Sequence, residues 1–169
     1  MKDETKIEII KELSKGNVKI AQLILEVQGD NYYNENKEKE NEVHHNGLRQ
    51  SVIEYVNRLM PVVAVEYREK YSKIWMDILE EEAVRGVIYN RGKQQGTVFN
   101  RNLVAQISRM MALDGIIVKD TNDVMMAELL EPEKGKLHPV RNQLGLVPDD
   151  ERIKKAVEAI FKRYGVEVL

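Results

Sequence analysis

The apolar residues of this chain follow two different periods. From residue 48 onward they recur every three or four positions, the spacing of helices with one buried face. Leu48, Val52, Val56 and Leu59 form the first such stripe. Pro61 interrupts it or sits in the first turn of the next helix. Val63, Tyr67, Tyr71, Ile74, Trp75, Ile78 and Leu79 make a wider stripe, which predicts a core helix running to about Tyr89 with Gly86 as its weak point. Asn90–Gly96 reads as a loop on its two glycines. Asn100 is then a suitable N-cap, with Phe99 before it as a hydrophobic staple. Leu103, Val104, Ile107, Met110 and Met111 line one face of the helix that follows. Asp114-Gly115 ends that helix, and residues 116–118 have the composition of a short strand.

The rest of this part of the chain also reads as helical. Val124, Ala127 and Leu130 form a stripe with Thr121 or Asp120 as cap, and Glu131-Pro132 closes it. A short helix is expected around 139–144, stopped by Gly145. The last helix carries Ile153, Ala156, Val157, Ile160, Phe161 and Tyr164 on its core face. Pro148 opens it, and Asp149, Asp150 and Glu151 suit its positive N-terminal end. Lys162 and Arg163 suit the last turn, and Gly165 the position after the C-cap.

The first third of the chain differs. Residues 2–15 carry Ile7, Ile10 and Leu13 on a narrow helical stripe ended by Gly16. Residues 18–27 switch to period two, with Ala21, Leu23, Leu25 and Val27 on one face, as in a β-strand. Residues 34–47 hold one aliphatic side chain, Val43, and nothing else there offsets the entropy of ordering. The expected fold is therefore mainly α. A helix-and-strand arm (1–33) is joined by a polar linker (34–47) to a helical body (48–169).

The strand at 18–27 needs a partner, because a free apolar edge is an aggregation hazard. It can pair within the chain or join a second protein, but the candidate partners at 116–118 and 166–169 are short. A homodimer through Leu23, Leu25 and Val27 is the leading expectation.

Composition removes several functions. The chain has 169 residues and no cysteine, so disulfides, thiolate zinc sites and a cysteine nucleophile are excluded. Charges recur through Lys15, against a signal peptide, and no apolar run approaches the roughly 20 residues of a bilayer span. A cytoplasmic location without membrane partners is expected. The net charge of -2 names no partner. Its distribution says more: residues 83–113 hold Arg85, Arg91, Lys93, Arg101 and Arg109 and no acid.

That basic stretch covers the glycine loop and the helix after it, where amide residues accompany the arginines. Such a face can lie on nucleic-acid phosphate and reach base edges. Arg91, Lys93 and Arg101 are the phosphate candidates, Asn102, Gln106 and Arg109 the base readers, and Arg85 is a further nucleic-acid-binding candidate. The competing explanation is a solvated face whose arginines pair with Glu80, Glu81 and Glu82. The order of elements is compatible with a helix-turn-helix or winged-helix variant, although the loop is longer than the usual turn.

Other constellations carry less. Gly92–Thr97 lacks the glycine spacing and the Lys-Ser/Thr pair of a P-loop. His44 and His45 sit in the polar linker near Glu40 and Glu42, poor scaffolding for a metal. His138 stands alone, and none of the four serines lies in a nucleophile elbow. Met110, Met111, Met125 and Met126 fit core filling or an adaptable groove. The leading reading is a non-enzymatic, cofactor-free regulatory protein that binds nucleic acid. The alternatives are a protein–protein adaptor and a small enzyme with an unrecognised site.

Overall fold

The computed structural model describes Lys6, Glu8, Glu42 and residues 44–89, 99–134 and 140–169. The chain divides into two compact units, Met1–His45 and Asn46–Leu169. In the first, Lys6 and Glu8 are helical, as the stripe at 2–15 predicts. The strand expected at 18–27, with Leu23, Leu25 and Val27, lies outside the described residues.

The second unit is mainly helical among its described residues. In this unit helix α1 covers 46–56, so the last two residues of the expected linker are helical; Asn46 and Gly47 face solvent there. The chain then tightens into a 3₁₀ helix at Asn57–Val62 that contains Pro61. Proline offers no N–H to continue an α-helical ladder. Val63 is extended and forms an antiparallel bridge with Ile117. The Ala64 N–H donates to the Ile116 carbonyl, and the Val118 N–H to the Val62 carbonyl, each at 2.9 Å.

This bridge explains the main departure from the helical pattern. The stripe from Val63 to Tyr89 predicts one helix, but the backbone of 62–64 is committed to 116–118. The segment instead makes a 3₁₀ turn at Val65–Tyr67, helix α2 at Tyr71–Glu80 and helix α3 at Glu82–Ile88. Glu81, extended at ψ 127°, separates the last two. That break lets Val84 and Ile88 of α3 reach the core. The expected strand at 116–118 is reduced to the single bridge, because its partner segment coils into 3₁₀ helices on both sides of Val63.

Helix α4, Arg101–Leu113, is the central element, with eight buried residues including Leu103, Val104, Ile107 and Met111. Asn100 caps it, accepting from the Leu103 N–H at 3.1 Å. The Asn100 N–H in turn donates to the Ile88 carbonyl, so the start of α4 is pinned to the end of α3. Helix α5 spans Asp123–Leu130 and is capped by Asn122, with Thr121 buried beside it. The cap is thus neither Thr121 nor Asp120 but the next residue, whose Oδ1 accepts from the Met125 N–H at 2.9 Å. Met110, Met111 and Met126 are buried, and Met125 is exposed.

Helix α6 is one turn, Arg141–Leu144, packed on α4 and α5. Helix α7, Glu151–Arg163, begins at the cap Asp150 and ends before Gly165, which adopts φ +77°. It lays Ile153, Val157, Ile160 and Phe161 against the core that holds Trp75, Ile78 and Ile107. The Tyr164 hydroxyl donates to Asp77 at 2.7 Å and ties α7 to α2. Among the described residues no helix is long and apolar enough to cross a membrane.

Candidate functional site

The basic segment does not present its described cations on a common surface. Arg91 and Lys93 lie outside the described residues, and Arg85 is exposed on α3. Arg101 opens α4, where the helix dipole disfavours a cation. Its guanidinium turns toward Glu131 instead, with Nη1 at 2.5 Å from Oε1. The Glu131 side chain is 1% exposed. Burying a carboxylate costs several kcal/mol unless it is paired, so Glu131 requires this arginine.

Two further groups complete the cluster. The Tyr55 hydroxyl donates to the same Glu131 oxygen at 3.3 Å. The guanidinium carbons of Arg58 and Arg101 each lie 5.4 Å from the centre of the Tyr55 ring, within cation–π range. Phe99 meets that ring edge-on at 5.3 Å. Burial, and then the Glu131 charge, push the Tyr55 hydroxyl well above its ordinary value. It therefore stays a proton donor. Arg58 also donates to the Leu130 carbonyl, one of the free acceptors at the end of α5.

Arg109 is drawn to α5 as well, with Nη1 at 3.5 Å from Asp123 Oδ1. Two of the expected nucleic-acid contacts are thus held by acids of this same unit. The carboxylates differ from the expected Glu80, Glu81 and Glu82. Glu80 pairs with Arg49, and Glu81 lies 3.8 Å from Arg163.

Asn102 and Gln106 have another setting. With Asn100, Gln143, Asp149 and Asp150 they line a groove of about 260 Å³ between α4, α6 and the start of α7. Gln106 Nε2 donates to Gln143 Oε1 at 2.8 Å, which fixes both amides. Leu103 and Ile153 give the groove an apolar floor, and the partly exposed Val87 stands at its wall. Asp150 is already engaged: it accepts from the Arg152 N–H and side chain, which hold its carboxyl below the usual range. Asp149 is exposed. Amides offer both donors and acceptors, and the charged rim is acidic. This groove suits a polypeptide main chain better than a phosphate backbone.

Sequence reasoning placed Asn102 and Gln106 together on one polar face. It missed Glu131, Gln143 and the groove-facing role of Asp149. Glu131 reads along the chain as a helix-closing residue before Pro132, and nothing local marks it as buried. Among the described residues no group of three or more His, Asp or Glu side chains is placed to hold a metal ion. No protein-family model, curated protein or solved structure matches this chain.

Proposed function

We propose that this protein is a non-enzymatic adaptor that binds another polypeptide through the amide-lined groove on α4. The observation that carries this reading is the inward engagement of Arg101 by buried Glu131. With Arg109 also neutralised by Asp123, the α4 face offers Asn102, Gln106 and Gln143 beside Asp149 rather than free cations. An extended peptide would place its main-chain N–H and C=O groups on the amides. A lysine or arginine of that peptide would meet Asp149. Glu131, a desolvated carboxylate, accepts from Arg101 and Tyr55 through Oε1 alone, keeps a buried Oε2 without a hydrogen-bond partner among the described residues, and lines neither groove described here.

Selection of displayed random peptides on the immobilised chain tests the reading. Enriched sequences should share a basic residue, and Asn102→Ala with Asp149→Asn should abolish their binding. Filter binding at low salt should detect no nucleic acid. Salt-sensitive retention of DNA or RNA, lost on Arg85→Ala, would overturn the proposal and favour a regulatory protein of helix-turn-helix type.

A further inference from the structure

A second groove, of about 440 Å³, lies at the opposite end of α4 from the amide groove. It runs between the 3₁₀ turn at Val65–Tyr67, the end of α4 and the segment after α7. Its charged side chains are Glu66, Asp114 and Glu167 against a single cation, Lys119. The exposed large apolar residues are not spread evenly around it. Of eight among the described residues, Leu113 and Leu169 line this groove, while Val65 and Val118 adjoin lining residues in the chain. Val65 is 74% exposed and Leu113 43%. Two exposed leucines in one groove, rimmed by charge, suit a protein contact.

We infer that this groove is a second protein-contact surface, and that its occupant is a basic amphipathic segment of a partner, carrying lysine or arginine beside leucine or isoleucine. The charge decides the occupant. An acidic or phosphate-bearing ligand would face three carboxylates, whereas cationic side chains pair with them while aliphatic ones cover Leu113 and Leu169. Part of the backbone here is already committed. The Leu169 N–H donates to Asp114 Oδ1 at 3.3 Å, and the Ile117 N–H to the Met111 carbonyl. Recognition therefore falls to side chains rather than to an added strand. Most of the lining residues are exposed, which suits a segment laid along the surface more than an enclosed small molecule. The inference does not depend on the amide groove: two contact surfaces at the two ends of one helix would make the chain a bivalent bridge.

Fluorescence anisotropy on the full chain tests it with three labelled peptides. One is an amphipathic helix of Lys and Leu, the second has Glu for Lys, and the third has Ser for Leu. The Lys–Leu peptide should bind saturably, and each of the others at least about tenfold more weakly. Glu66→Lys with Glu167→Lys should weaken the Lys–Leu peptide by a similar factor, as should Leu113→Ser, without moving the thermal midpoint. Asn102→Ala should leave this affinity unchanged, so failure of one groove is separable from failure of the other. Equal affinity for the three peptides, no saturable binding, or indifference to the Glu66 and Glu167 changes would overturn the inference.

Discussion

Arg101 Nη1 stands 2.5 Å from Glu131 Oε1, joining residues thirty positions apart. The contact holds the first turn of α4 against the residue that ends α5. Tyr55 adds α1 to the same point. The charge most central to the basic segment is therefore part of the frame of the unit.

This pair should be costly to break from either side. Glu131→Ala leaves Arg101 facing an apolar gap and Tyr55 without its acceptor, and should lower stability by about 3 kcal/mol in urea unfolding. Arg101→Met leaves a buried carboxylate alone and should cost at least as much. The double variant Arg101→Met, Glu131→Leu should recover most of the loss, because neither charge is then stranded.

Packing of α7 on the core is the next determinant. Phe161 is fully buried, so Phe161→Ala should cost about 3–5 kcal/mol by the same measurement. Val65 is mostly exposed, and Val65→Ala should stay within about 0.5 kcal/mol of the parent.

Two glycines should respond oppositely to alanine. Gly165 adopts φ +77° with open space around its Cα, so Gly165→Ala carries a purely conformational cost of about 1–2 kcal/mol. Gly86 lies inside α3, also with open space beside it. Gly86→Ala should raise the unfolding free energy by about 0.5–1 kcal/mol.

Acid titration should separate two aspartates. The carboxyl of Asp150 is held below its ordinary value by its bonds to Arg152. It titrates at lower pH in the folded chain than in the unfolded one. Its stabilising share is present above the unfolded value and is lost as pH falls through the folded value. Asp150→Asn should flatten that part of the acid limb. Burial pushes Asp114 the other way, upward. Its contribution is full below the unfolded value and is lost as pH rises through the folded one. Asp114→Asn should therefore stabilise the chain near neutrality, with the difference vanishing in acid. Urea midpoints taken across the acid range check both signs.

Much of the helical layout is legible in the residues themselves. The cap at Asn100, the cap at Asp150 and the left-handed Gly165 each follow from a side chain and its near neighbours. The stripe Ile153–Val157–Ile160–Phe161 needs only helical geometry to predict a buried face. The same local logic over-extends one helix through 63–70. Spacing cannot register that Val63 bridges Ile117, more than fifty positions away.

The candidate site divides along the same line. The polar face of Asn102 and Gln106 follows from a helix with 3.6 residues per turn. The fate of Arg101 does not, because an arginine's charge is fixed while its partner is chosen by distant folding. By itself the sequence determined a mainly helical chain, the helix ends that local side chains cap, and a stretch of 31 residues with five cations and no acid. Only the tertiary structure decided that Arg101 and Arg109 spend their charge on Glu131 and Asp123. Helix propensity and capping act within a few residues, whereas the pairing of a charge depends on which carboxylate the fold carries to it.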